Sequence, residues 1–198
     1  NRLNNEDLTF VMSSNCRTGN FNFGEGVNDC FAERFMRVEN GAVAIIAASE
    51  TSYSFVNDTY VWGFYDYLWN DFMPDYGSNN VVFKYPAFAN VYGKYFLKQA
   101  SWLSLSINKK ITYNLFHYFG DAFLQLNTEM PEEIDISYPK EILTDCSSFT
   151  IKKDKDTRVA VSHNGNIIAT SFGEDSVINI KPFIYETKLK VVATKQDH

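Results

Sequence analysis

The sequence predicts an α/β fold followed by a small all-β module, and three observations carry that reading. The run Ala42-Val-Ala-Ile-Ile-Ala-Ala48 is continuously apolar. A strand without alternation is covered on both faces, as in a mainly parallel sheet. A helix-spaced segment separates this run from an earlier apolar one, which is the strand, helix, strand order of a parallel crossover. Beyond residue 128 the texture changes to short alternating runs divided by turn residues, the pattern of a β-sandwich. The expected organisation is therefore 1–128 as one α/β unit and 129–198 as a β unit.

Taken in order, the first strand is the apolar run from Leu8 to Asn15, and it ends at Cys16. A polar, glycine-bearing loop follows, from Arg17 to Gly26. Asp29 is placed to cap a helix over residues 30–38, with Phe31, Phe35 and Val38 at helical spacing and Gly41 as its stop. After the strand at 42–48, an aromatic segment over 57–73 reads as a helix stopped by Pro74. A further helix over 88–105 places Phe88, Val91, Tyr92, Tyr95, Phe96 and Leu103 at helical spacing. A last strand is expected near Ile111 to Phe119, leading into Gly120 and Asp121. In the second unit, strands are expected at 149–152, 158–162, 167–170, 177–181 and 189–192. Asn164-Gly165 is a hairpin turn, because both residues accept the positive φ angles of a type I′ turn. A module of about 70 residues matches a compact immunoglobulin-like sandwich.

Composition excludes several classes of function. A net charge of −6, with 18 scattered Lys and Arg, disfavours a nucleic-acid partner. No apolar run approaches the roughly 20 residues of a membrane helix. The 17 Phe and 12 Tyr supply large rings for core and cleft walls. The chain begins at Asn1 without an initiator Met or a signal peptide, and it reads as a processed or cut product.

The residue placed for chemistry is Cys16. Ligands in open α/β sheets collect at the carboxyl edge of the strands, and Cys16 sits where the first strand gives way to a loop. Cys16, Cys30 and Cys146 match no zinc spacing and cannot all pair, so at least one is a free thiol. Cys30 and Cys146 read as inert thiols inside apolar elements. A nucleophilic cysteine acts as a thiolate and needs a base. The chain offers His117, His163 and His198. His163 follows Cys16 at a papain-like interval, but the papain-type sequence around the Cys is absent. His117 reads as a core or edge histidine of a strand, and His198 is terminal.

Three blocks together resemble the gingipain family of cysteine peptidases, whose fold is related to that of the caspases. They are Cys16-Arg-Thr-Gly-Asn-Phe21, Asp29-Cys-Phe-Ala-Glu-Arg-Phe-Met-Arg37 and Gly41-Ala-Val-Ala-Ile-Ile-Ala47. Tyr118-Phe-Gly-Asp-Ala122 is similar to the family's Phe-Gly-Asp-Pro segment, with Ala122 in place of Pro. The resemblance spans about 120 residues. It implies a caspase-like sheet, an immunoglobulin-like domain after it, and Cys16 as nucleophile with its backbone N–H in the oxyanion hole. In the family the catalytic His precedes the Cys. The implied chain is thus the C-terminal portion of a peptidase, with its His on a preceding segment or on a second chain cut from the same precursor.

The resemblance further implies that Ser49-Glu-Thr-Ser-Tyr-Ser-Phe55 flanks the substrate side chain before the scissile bond. Ser49, Glu50, Tyr53 and Phe55 are the candidate substrate contacts, with Tyr53 or Phe55 as an aromatic wall and Glu50 as a selector of a basic side chain. The chemistry requires no cofactor. Calcium supports stability in the family, and Asp58, Asp66, Asp71 and Asp75 are candidate oxygen ligands, although no EF-hand loop is present. The expected protein is a bacterial, secreted or surface-exposed cysteine endopeptidase acting on peptide or protein substrates. The alternative is a pseudoenzyme, or a non-catalytic adhesion or scaffold protein that binds through its β-sandwich and aromatic surface.

Overall fold

A computed structural model describes residues 8–22, 29–69, 72–73, 83–101 and 106–198. The chain forms two compact units, Asn1–Leu126 and Asn127–His198. The first is mixed α/β. Its elements run β1 (Thr9–Ser13), α1 (Phe31–Arg37), β2 (Ala42–Ala48), α2 (Ser54–Leu68), α3 (Pro86–Gln99), α4 (Ser106–Leu115) and β3 (Phe116–Gly120). The sheet has the order β1-β2-β3, with β1 parallel and β3 antiparallel to β2.

The apolar run at 42–48 is a central strand covered on both faces, as its lack of alternation requires. Ile46 and Ala48 join Phe10 and Met12 of β1 and Phe116 and Tyr118 of β3 in a core with Tyr60, Phe64, Ala89 and Leu97 of α2 and α3. Ile45 and Ala47 face the other way, toward Cys30, Ala32, Phe35 and Met36 around α1. Gly41 lets the chain turn back from α1 into β2, since a Cβ there would stand 2.0 Å from the Phe35 carbonyl oxygen.

Several boundaries differ from the sequence reading. The cap of α1 is Cys30, whose N–H donates to Glu33 Oε2 at 3.0 Å, while Asp29 pairs with Arg37 at 2.6 Å. The aromatic helix begins at Ser54 rather than 57 and ends at Leu68, before Pro74 is reached. The next helix spans 86–99, entered through Pro86, whose fixed φ suits a first helical position. The segment read as one strand from Ile111 to Phe119 is split. Residues up to Leu115 close α4, where Ile111 and Leu115 stand one helical turn apart on the core side, and the strand starts at Phe116. No Gly or Pro marks that junction. Pairing of Phe116 with Ala48 and of His117 with Ala47 sets it. That antiparallel strand makes the sheet mixed rather than mainly parallel.

The second unit contains β4 (Ile136–Ser137), β5 (Ser148–Lys153), β6 (Thr157–His163), β7 (Asn166–Gly173), β8 (Ser176–Asn179) and β9 (Lys190–Thr194). They form two antiparallel three-stranded sheets, β4-β5-β8 and β7-β6-β9. Ile151, Val159, Val161, Ile178 and Ile180 form one core between them. The β6–β7 hairpin turns at Asn164 and Gly165 with φ of 49° and 80°, the left-handed conformations expected of that pair. Cys146 lies in a turn before β5, not within an apolar element, and its thiol donates to the Ser148 carbonyl at 2.7 Å.

Candidate active site

Cys16 lies at the carboxyl edge of the sheet, three residues past the end of β1. Its loop is laced to the end of the neighbouring parallel strand. Gly19 N–H donates to the Ala48 carbonyl at 2.9 Å, and Arg17 N–H to the Glu50 carbonyl at 3.2 Å. Gly19 is required by close approach, because a Cβ there would meet Ala47 Cβ at 2.8 Å. Arg17 adopts a φ of 60°, a left-handed conformation that turns the chain sharply after the cysteine. Thr18 completes the brace. Its hydroxyl shares a 2.8 Å hydrogen bond with Ser13, and its carbonyl accepts from Ala32 N–H at the start of α1.

The thiol of Cys16 is exposed, and among the described residues its hydrogen bonds go to Ser52 alone. Ser52 N–H donates to the sulfur at 3.3 Å, the Ser52 hydroxyl lies 3.5 Å away, and the Ser52 carbonyl is 3.7 Å from it. These contacts lower the thiol below its ordinary value, the Ser52 hydroxyl first and the Ser52 backbone second, with a smaller share from Arg17. Cys30 differs, since burial pushes its thiol up. The structure thus separates an accessible thiol that is pushed down from a buried thiol that is pushed up.

Of the other candidate residues, Ser49 follows β2 directly. Its hydroxyl donates to the Leu115 carbonyl at 3.3 Å and lies 3.2 Å from His117 Nε2. Glu50 is already engaged, with Oε2 accepting from Arg17 Nε at 3.1 Å and from Thr51 N–H at 3.2 Å. Tyr53 is the N-cap of α2 and Phe55 sits in its first turn, 82% exposed. Phe55 is therefore on a helix, not in the loop. His117 stacks edge-on against Phe21 with centroids 5.1 Å apart, and burial together with Lys94 pushes its imidazole down. His163 and His198 are engaged within the second unit, by Thr187 at 2.9 Å and by the Glu132 carbonyl at 3.1 Å.

The sequence reading missed Ser52 and Asn57. Asn57 Nδ2 donates to Ser52 Oγ at 2.8 Å and to the Ser14 carbonyl at 3.1 Å. Ser52 is one of several hydroxyls in a polar run, and Asn57 looks like any residue near a helix start, so neither carries a signal in one dimension.

The model of peptidase family C25 matches residues 1–127. The chain belongs to peptidase family C25. Three solved structures share the fold of this gingipain-family chain. "Crystal structure of the Arg specific cysteine proteinase gingipain R (RgpB)" is 21% identical, with a TM-score of 0.73, over 96% of this chain and 43% of that one. "Structure of Protease" is 20% identical, with a TM-score of 0.73, over 98% of this chain and 46% of that one. "Complex of Porphyromonas gingivalis RgpB pro- and mature domains" is 20% identical, with a TM-score of 0.71, over 96% and 44%. The C25 chain thus spans less than half the length of the solved structures it matches. Comparison with curated proteins gives no significant match.

As for metal, Asp66 is buried, and its two oxygens accept from Met73 N–H at 2.9 Å and the Tyr92 hydroxyl at 3.3 Å. Burial pushes its carboxyl up. Among the described residues no three His, Cys, Asp or Glu side chains gather as a metal site. Of the four aspartates considered for calcium, Asp58 and Asp66 lie on α2, and Asp71 and Asp75 lie outside the described residues. No helix among the described residues is long and apolar enough to cross a membrane.

Proposed function

We propose that this C25 chain is the nucleophile-bearing part of a cysteine endopeptidase. The observation that carries the proposal is the exposed Cys16 thiol at the sheet's carboxyl edge, held below its ordinary value by two Ser52 donors. The sulfur attacks the carbonyl carbon of a peptide bond, and the electron pair moves onto the carbonyl oxygen. The tetrahedral species collapses, the amine leaves with a proton, and a thioester remains for water to hydrolyse. The Cys16 N–H faces the developing oxyanion, with a second N–H supplied beside the catalytic His.

We assign that His to a segment other than the residues present here. In the gingipain resemblance it precedes the cysteine, and His117, His163 and His198 are each engaged elsewhere. The partner that completes the dyad is then another part of the same precursor. Ser49, Tyr53 and Phe55 are the proposed substrate contacts, with the exposed Phe55 ring the most accessible of them. Glu50, paired with Arg17 through Oε2, is the proposed selector of a basic side chain. We read the mixed sheet as part of a caspase-like sheet, supported by its β1–β2 parallel pair. The β unit reads as immunoglobulin-like, supported by two small sheets over one core. The protein is assigned to the secreted or surface-exposed proteins of a bacterium, and its chemistry draws on no cofactor.

The test uses full-length protein and an electrophilic peptide probe. Labelling is expected at Cys16 and lost in Cys16→Ala. Equal labelling of both proteins would overturn the peptidase reading in favour of a binding protein.

A further inference from the structure

The hydroxyl that faces Cys16 is fixed in its hydrogen-bonding role by a buried amide. Asn57 is 5% exposed, in the first part of α2. Its Nδ2 stands 3.1 Å from the Ser14 carbonyl oxygen and 2.8 Å from Ser52 Oγ. A carbonyl oxygen only accepts, so the amide must present its NH2 group to Ser14. Turned over, it would set Oδ1 against that oxygen, two acceptors in contact. The same NH2 therefore donates to Ser52 Oγ, and the serine's own hydrogen is left for another acceptor. Cys16 Sγ stands 3.5 Å from that oxygen.

A second observation points the same way. Among the described residues, Asn57 Oδ1 is buried with no hydrogen-bond partner. An unsatisfied buried acceptor is unfavourable, and such atoms in a native fold call for a reason. Here the reason is orientation, since the position that leaves Oδ1 unpaired is the one that aims the NH2 at both Ser14 and Ser52.

We propose that Asn57 and Ser52 form a positioning relay for the Cys16 thiolate, in which the buried amide commits the Ser52 hydroxyl to donate to the sulfur alongside the Ser52 N–H. Both are positioning residues, and the relay rests on reading Cys16 as the nucleophile. The amide also ties the Ser14 carbonyl, two residues before Cys16, to α2, so one side chain sets both where the cysteine sits and what its sulfur meets. No bond to sulfur is made or broken by the relay. It lowers the free energy of the anion that exists before attack and returns when the thioester is hydrolysed. Among charged side chains, Arg17 acts on the thiol and is itself paired with Glu50 at 3.1 Å. Neither is altered in the variants below.

The experiment follows alkylation of Cys16 by iodoacetamide, read at the Cys16 peptide by mass spectrometry from about pH 5 to about pH 10. Ser52→Ala is expected to move the Cys16 profile upward by about half to one pH unit and to slow alkylation near neutral pH about three- to tenfold. Ser52→Thr, which keeps the hydroxyl, restores the profile toward the parent. Asn57→Leu shifts it in the same direction as Ser52→Ala, and added to Ser52→Ala it produces no further shift. The Cys30 peptide in the same samples reports whether the first unit is intact, because Cys30 is buried against β2 and reacts only when that core opens. A Ser52→Ala profile that superposes on the parent overturns the relay. So does an Asn57→Leu shift of equal size with and without Ser52, because Asn57 would then act by another route. Should Asn57→Leu fail to fold, the Ala and Thr variants of Ser52 carry the test alone. If the alkylation profile moves as expected while the peptide probe fails to label Cys16, the relay stands and the peptidase reading falls.

Discussion

Ser52 and His117 show how differently two polar side chains at one sheet edge can be set. Ser52 is turned toward the sulfur and lowers it, whereas His117 is half-buried between Phe21 and Ser49 and kept below its ordinary value of 6.5 by burial and by Lys94. The folded protein therefore resists protonating His117 more than the unfolded chain does. Its contribution to stability is full above the ordinary histidine value and is lost as pH falls from there toward the depressed folded value. Comparing melting temperatures at neutral and mildly acidic pH, His117→Gln is expected to lose less on acidification than the parent. An equal loss in both proteins would show that His117 titrates normally. The distinction was not legible in the sequence, where His117 stood as one histidine in an apolar strand. Lys94 comes from α3, and only packing brings its charge near.

At the level of elements, α2 and α3 touch through glycine. A Cβ added at Gly63 would stand 2.3 Å from Phe96 Cβ, and one at Gly93 would stand 2.7 Å from the Tyr60 carbonyl oxygen. Helices that approach this closely need small residues at the crossing, and both glycines are in α geometry rather than in turns. Gly63→Ala is expected to destabilise by about 1–3 kcal/mol despite the better helix propensity of Ala, because the overpacking exceeds the propensity gain. Denaturant unfolding measures it, and a stabilised variant would refute the crossing. The same pair of helices buries a polar contact, with the Tyr60 hydroxyl donating to Asn90 Oδ1 at 2.5 Å. Tyr60→Phe leaves that acceptor unpaired and is expected to cost about 1–3 kcal/mol by the same measurement. Helical spacing in the sequence marked both segments as helices. Their ends were misplaced because capping here comes from backbone contacts and Pro86 rather than from a Ser, Thr or Asp side chain.

Over the whole molecule, each unit has a core of its own. In the second unit, Ile151, Val159, Val161, Ile178 and Ile180 close on one another across two sheets. A separately expressed fragment covering residues 127–198 is expected to give a β-type circular dichroism spectrum and cooperative unfolding, with the narrow margin of a small domain. A fragment without cooperative unfolding would show that this core depends on the preceding residues. Within that fragment Ile151→Ala is expected to cost about 2–4 kcal/mol, since Ile151 is fully buried and its loss leaves a cavity.

Periodicity and chemistry along the chain determined a good deal by themselves. The unbroken apolar run at 42–48 read as a strand covered on both faces, the Asn164-Gly165 pair could turn a hairpin without strain, and the thiol of Cys16 stood at the end of a strand beside a glycine-bearing loop. Three blocks from that cysteine onward were enough to suggest the gingipain family of cysteine peptidases. Each of these signals lies within a few neighbouring residues, where sterics and burial act locally. What only the tertiary structure decided lies between residues far apart in the sequence. The antiparallel pairing of β3, the split of the 111–119 segment between helix and strand, and the pairing of Arg17 with Glu50 all depend on long-range contacts. So does the convergence of Ser52 and Asn57 on Cys16, because the direction of a hydroxyl's hydrogen is set by whichever donor and acceptor the fold places on either side of it.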